Sequence, residues 1–300
     1  MNKINSPEIL VIAVLYNTYT EAINFIDDFN HLSNEKVQLL LIDNSNIFTP
    51  DSFLEALKSG KYPFLVYEKL NINKGYFGAA KYALDNHLIK NSMPRWVIIC
   101  NVDIRLKQQN LFSLLSAKYL DINNDIIAPQ IWSNIKKNDL NPIYVKRPNK
   151  KKMMFLNIIS KFFIIQQTYE ILSFIKYELK KYYNVIRHLF IKKNIKVKSL
   201  RVSPKSIYAP HGSFIILKDS YFLRSGNLNH VSFLFGEEIF LGETARQLNL
   251  SVVYDPSLIV VHEEHASTGV VRSRKIGKYM KDANLNLYKH FFESTKENSK

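Results

Sequence analysis

Short, unbroken apolar runs alternate with amphipathic stretches through the first hundred residues. Glu8–Leu15 (EILVIAVL) is continuous and rich in β-branched side chains, the pattern of a strand buried on both faces. Thr20–Leu32 changes period, with Ala22, Ile23, Ile26 and Phe29 at helical spacing. Val37–Ile42 (VQLLLI) predicts a second buried strand that runs directly into Asp43-Asn44-Ser45. A short helix over Ser52–Leu57 and a third strand over Pro63–Lys69 follow, then Asn71–Gly75 and a helix over Phe77–Leu88. Trp96–Cys100 (WVIIC) predicts a fourth strand, ending at Asn101-Val102-Asp103. Strands alternating with helices at this spacing predict an α/β fold built on a mostly parallel sheet.

In such a sheet, ligand-binding groups collect at the carboxyl ends of the strands. The sequence puts Tyr16-Asn17, Asp43-Asn44, Asn71–Gly75 and Asn101–Asp103 at four successive strand ends. A rim of carboxylates, amides and a glycine of this kind suits a nucleotide-type ligand.

The pattern changes after residue 145. From Tyr169 onward Leu172, Ile175, Leu179, Tyr182, Tyr183, Ile186, Leu189 and Phe190 share one helical face, with Lys176, Lys180, Lys181, Asn184, Arg187 and His188 opposite. Met153–Ile165 upstream is richer still in bulky apolar residues. Charge reinforces the distinction. The chain of 300 residues carries a net +15, yet Lys146–Lys205 alone holds 16 basic and two acidic residues, leaving 25 and 24 elsewhere. The chain reads as a nearly neutral protein with a basic insert, so any anionic partner belongs to that segment. A basic amphipathic helix suits an anionic membrane surface; a helical pair packed on the main domain with a solvated basic face is the plainer reading. Nucleic acid is not expected, because no helix-turn-helix, finger or RNP-like pattern accompanies the charge.

Further composition narrows the class. A single cysteine, Cys100, excludes a disulfide scaffold and points to a reducing compartment. The apolar run Ile9–Tyr16 is too short for a secretory signal, and no 18-residue stretch lacks a charge, so a cytoplasmic protein, at most peripheral on a membrane, is expected.

Eight motifs in order carry a resemblance: VIAVLYN (11–17), LIDNS (41–45), NINKGYFGAA (71–80), CNVDIRL (100–106), IIAPQI (126–131), APHGSFII (209–216), FLFGEEIFLGETARQL (233–248) and YDPSLIVVHEEHAS (254–267). Together they resemble the family 2 inverting glycosyltransferases of GT-A fold, in the branch of bacterial polysaccharide and rhamnosyl-type transferases. The resemblance implies a Rossmann-like, mostly parallel mixed sheet. It divides the chain into a nucleotide-sugar-binding half (1–145), the basic helical insert (146–205) and an acceptor or catalytic half with a C-terminal helix (206–300).

It also implies roles. Asp103, closing a DxD-like Asn-Val-Asp, would hold Mn²⁺ or Mg²⁺ against a diphosphate, with His262 as a further ligand. Asn101 would serve the ribose instead of the metal. Asp43 and Asn44 would read base and ribose, sharing the pocket with Tyr16 and Asn17; a turn cap is the alternative for Asp43. Asn73 and Gly75 would meet the donor phosphates at a helix start. Gly212 and Ser213 would flank the sugar, with His211 beside them. Glu238, with Glu237 second in line, stands where the family keeps its base in a Glu-Asp pair, the extra methylene moving it by about 1.5 Å. Adjacent carboxylates at a solvated helix start are the alternative. Arg246 would orient a carboxylate, and Arg272, Arg274 and Lys275 form a late basic group. A zinc site on His262 and His265 lacks the HExxH spacing.

The reading that follows is transfer of a sugar from a UDP- or dTDP-sugar to a saccharide, lipid-linked through polyprenyl diphosphate, with inversion. The protein would be peripheral on the inner face of a bacterial membrane, serving capsule or O-antigen synthesis. Two alternatives stand beside it: a nucleotide-sugar-binding protein without catalysis, and a basic nucleic-acid-binding protein.

Overall fold

A computed structural model describes residues 7–58, 60–120, 124–169, 203–264 and 273–293, together with 171, 172, 175 and 179. The chain divides into two compact units, Met1–Arg147 with Pro204–His265, and Pro148–Ser203 with Ala266–Lys300. The C-terminal segment thus goes with the insert, whereas the sequence reading kept 206–300 together.

The first unit is built on a nine-stranded sheet. Its strands are β1 (Ile9–Leu15), β2 (Val37–Asp43), β3 (Leu65–Lys69), β4 (Trp96–Asn101), β5 (Ile104–Arg105), β6 (Ile126–Ser133), β7 (Lys205–Ser206), β8 (Phe214–Lys218) and β9 (Val252–His262). They lie in the order β3-β2-β1-β4-β8-β6-β9-β5, with β7 paired to β9. β3, β2, β1 and β4 are parallel, as are β6 and β9. β8 runs against both its neighbours, and the short β5 and β7 run against β9. β1 and β2 read as apolar runs because they are covered on both faces: every residue of β1 is buried, and in β2 all but Gln38.

Register carries the polar ends to one edge. Leu15 pairs with Asp43, Asp43 with Lys69, and Val14 with Asn101. β8 enters antiparallel at the same edge, where the Asn101 N–H donates to the Ser213 carbonyl at 3.0 Å. His262, at the end of β9, stands opposite Ser133 and Ile104.

The helices of this unit are α1 (Tyr19–Leu32), α2 (Asp51–Lys58), α3 (Tyr76–Lys90), α4 (Leu111–Ala117), the one-turn α6 (Asp219–Leu223) and α7 (Glu237–Gln247). α1 turns Ala22, Phe25, Ile26 and Phe29 inward, and Phe29 meets Phe112 edge to face at 5.7 Å. α7 buries nearly every residue, Glu237 and Glu243 included.

The second unit contains α5 (Lys150–Ser160), helical residues 163–169 and α8 (Arg274–Leu287), which ends in a π turn over Tyr288–Phe292. Asn149 caps α5 by accepting from the Lys152 N–H at 2.8 Å, and Ser273 caps α8 by accepting from Ile276 at 3.3 Å. Lys176, Lys180, Lys181, Arg187 and His188 of the predicted basic face, along with His265 and Arg272, lie outside the described residues. Among the described residues no helix is long and apolar enough to cross a membrane.

Candidate active site

Two clusters occupy the strand-end edge. The first joins the end of β2 to the loop before α3. Asp43 is fully buried. Its Oδ2 accepts from the Tyr67 hydroxyl at 2.9 Å, Tyr19 at 3.0 Å, and Thr49 and Lys69 at 3.1 Å each, while Oδ1 takes the Ser45 N–H at 3.0 Å. Burial alone would raise its pKa, but these donors outweigh it and hold Asp43 below the ordinary carboxylate range. Asp43 therefore ties the 45–49 loop and β3 together through groups of the protein itself. Asn44 does the same for the next loop: its amide donates to Asn73 Oδ1 and the Gly75 carbonyl, and its oxygen accepts the Lys74 N–H at 2.8 Å.

Gly75 is at φ +73° with its N–H on Asn73 Oδ1, and a Cβ there would lie 1.8 Å from the Phe233 carbonyl oxygen. Its lack of a side chain is thus used by the 233 loop, and its own N–H does not point outward, unlike the phosphate approach expected from sequence. Asn17, at φ +58°, donates its N–H to Ser45 Oγ at 2.7 Å, and Tyr16 remains 45% exposed at the rim.

The second cluster lies where β4, β8, β9 and α7 meet. His262 Nε2 is 3.1 Å from Asp103 Oδ2, because Ile104 pairs with His262 across β5 and β9. Asp103 Oδ1 and His262 Nδ1 are both buried with no hydrogen-bond partner in the protein. Behind them His211 accepts the Ser213 N–H on Nδ1 at 3.2 Å and stacks edge-on at 6.0 Å from His262. Burial first, then the neighbouring His262, pushes His211 down to about 4, so its imidazole is neutral.

α7 brings in the carboxylates. Phe235, at φ +70°, and Gly236, at φ +87°, turn the chain sharply before Glu237. A bulky residue in that region is strained, and strain of this kind collects at functional sites. His230 Nε2 braces the turn by donating to the Phe235 carbonyl at 2.9 Å. Glu238 Oε1 accepts the Gly212 N–H at 3.3 Å, a close approach, since a Cβ there would come to 3.0 Å of that oxygen. Glu237 is buried with Oε1 unpartnered. Burial, then the charge of Glu238, pushes Glu237 up to about 8, and burial raises Glu238 as well.

Sequence reasoning missed Tyr76. Its hydroxyl donates to the Gly212 carbonyl at 2.9 Å. Burial, followed by Cys100, Glu237, Asp103 and Glu238, raises its pKa well above the ordinary phenol range, so it stays a donor among carboxylates. Only its place directly after Gly75 marked it. Arg246 does orient a carboxylate, but that of Glu243 on its own helix, at 2.9 Å; Glu243 is fully buried and also binds Arg147 and the Tyr208 hydroxyl at 2.7 Å.

One carboxylate oxygen beside one imidazole is a donor pair that a divalent ion such as Mn²⁺ accepts, and the unpartnered Asp103 Oδ1 fits that use. Among the described residues no group of three or more His, Cys, Asp or Glu gathers in a metal-binding arrangement.

The architecture is α/β with a mixed, mostly parallel sheet, and it is of GT-A type, the fold of nucleotide-sugar glycosyltransferases. A crystal structure of GalNAc-T7 with UDP, GalNAc and Mn²⁺ matches at a TM-score of 0.57 and 11% identity, over 94% of this chain and 49% of that one. The mannosyltransferase PcManGT from Pyrobaculum calidifontis, in complex with GDP-Man and Mn²⁺, matches at a TM-score of 0.48 and 14% identity, over 90% of this chain and 58% of that one. The chain thus spans about half the length of these two proteins. No family model and no curated protein matches it.

Proposed function

We propose that this chain is an inverting, metal-dependent glycosyltransferase of the family 2 polysaccharide branch. It would transfer a sugar from a UDP- or dTDP-sugar to a saccharide carried on polyprenyl diphosphate, at the inner face of a bacterial membrane. The observation that supports this most is the Asp103–His262 contact, at 3.1 Å, beside the paired carboxylates Glu237 and Glu238.

On this reading Asp103 and His262 would hold Mn²⁺ or Mg²⁺. A divalent ion held there would supply positive charge against the leaving diphosphate. Tyr16, Asn17, Asn44 and Asn101 line the approach of the nucleoside, with Asp43 fixing the loop beneath it. Gly212 and Ser213, pinned by Tyr76 and His211, form the wall along which the sugar lies.

Inversion needs a base on the acceptor side. With both glutamates raised by burial, the pair shares one proton near neutral pH. Glu237, the more buried and without a donor on Oε1, keeps that proton. Glu238, which receives the Gly212 N–H, carries the charge and takes the proton of the acceptor hydroxyl. The test is nucleotide release from a panel of UDP-, dTDP- and GDP-sugars with Mn²⁺, beside Asp103→Ala. Hydrolysis of one donor that disappears in the variant is expected; release that survives in Asp103→Ala would count against the site.

A further inference from the structure

The second unit buries Met153, Ala283, Leu287, Phe291 and Phe292, with a few polar residues buried beside them. α5 buries Asn157 and Ser160 together with Met153, and the next helical segment buries Gln166. Gln166 faces α8, where Gly277 leaves room for the Phe163 ring (a Cβ would lie 2.6 Å from it) and Met280 Sδ accepts from Gln166 Nε2 at 3.2 Å. A second set of apolar residues is exposed. Phe155, Ile158, Phe162, Ile165, Tyr169 and Leu172 follow at steps of three and four and are between 40% and 59% exposed. The two segments fold back on each other, so that the rings of Phe155 and Tyr169 meet edge to face at 5.8 Å and the outward rows form one surface.

A soluble helix pair normally buries its apolar stripe and exposes its polar one. This pair leaves a second apolar row outside, and charge says what covers it. The unit formed by 148–203 and 266–300 carries 21 basic residues and five acidic ones, against 20 and 21 in the rest of the chain. The whole net charge of the protein therefore belongs to the unit with the outward apolar face. Lys151, Lys152 and Lys161 flank the aromatic row and are exposed.

We infer that this face docks on an anionic lipid bilayer, with Phe155, Ile158, Phe162 and Ile165 in the acyl boundary and the lysines at the headgroup phosphates. Apolar side chains set among lysines match an interface in which hydrocarbon lies directly below negative charge. The inference rests on the transferase reading only for the choice of membrane, and it is tested without donor or acceptor, so either can fail alone.

The experiment is co-sedimentation of the full chain with vesicles of phosphatidylcholine containing about a third phosphatidylglycerol, and with phosphatidylcholine alone. Wild type should bind the anionic vesicles, lose binding as salt rises, and bind neutral vesicles weakly. Phe155→Ser with Phe162→Ser should weaken binding about tenfold or more, the scale expected when two aromatic side chains leave the acyl boundary. Both positions are exposed, and an unchanged circular dichroism melt checks the fold. A second readout needs no loss of binding: Phe162→Cys carrying an environment-sensitive dye, with Cys100 buried and unreactive, should shift to the blue on anionic vesicles only. Wild type that ignores anionic vesicles, variants that bind as wild type does, a dye that does not shift, or a dimer in sedimentation that the double variant abolishes would each overturn the inference.

Discussion

Glu237 and Glu238 are the residues at which the account is most exposed to test. Glu237 is pushed from an ordinary 4.5 up to about 8 by burial and by its neighbour's charge. Between those values the folded protein holds a proton that the unfolded chain releases, so the stability this group confers is complete below about 4.5 and is lost as pH rises toward 8. Urea unfolding of the metal-free protein should therefore show stability falling from pH 5 to 8 in wild type and falling less in Glu237→Gln; equal slopes would contradict the assignment of the proton. Glu238→Gln should lower kcat by about a hundredfold or more with the donor KM little changed, since it removes a proton acceptor and not a binding contact. A variant with wild-type kcat would move the base elsewhere.

At the scale of elements, the loop-to-helix junctions hold the site. Gly75 combines φ +73° with a Cβ position 1.8 Å from the Phe233 carbonyl, so Gly75→Ala must shift the 233 loop that leads into α7. A loss of about 3 kcal/mol in urea unfolding is expected; an unchanged midpoint would mean that the contact is not maintained in solution. Glu243, fully buried under Arg147, Arg246 and Tyr208, anchors α7 from behind. Glu243→Ala should cost about 2 kcal/mol or more, because three donors lose their acceptor together; an unfolding free energy equal to wild type would show the network to be idle.

These elements were legible in the sequence wherever a single period decided them. Continuous β-branched runs gave β1, β2 and β4 to within a residue at each end, since strands covered on both faces need no polar alternation. The strand-end position of Asp43, Asn44, Asn101 and Asp103 followed from that pattern alone. What local pattern could not contain was long-range pairing. The antiparallel β8 between β4 and β6, the meeting of His262 with Asp103 through β5, and the use of Gly75 by Phe233 each join residues far apart in the chain. Tyr76 was missed for the same reason, as its partners lie just before β8, on β4 and on α7. Asp43 shows the converse: motif position suggested a ligand role, whereas its hydrogen bonds lead into the protein.

Across the whole molecule, charge and chemistry are segregated. The unit carrying the sheet is close to neutral, with 20 basic and 21 acidic residues, and contains all the candidate site residues, while the other unit holds the net positive charge. The central claim is that the strand-end edge binds a nucleoside diphosphate through a divalent ion held by Asp103 and His262. Calorimetric titration of UDP, dTDP and GDP into the full chain, with and without Mn²⁺, beside Asp103→Asn, tests it most directly. The account predicts that one of these nucleotides binds only when Mn²⁺ is present and that Asp103→Asn weakens it about tenfold or more, the effect of losing a charged ligand. Binding that is indifferent to both the metal and the substitution, or no binding of any of the three, would contradict it.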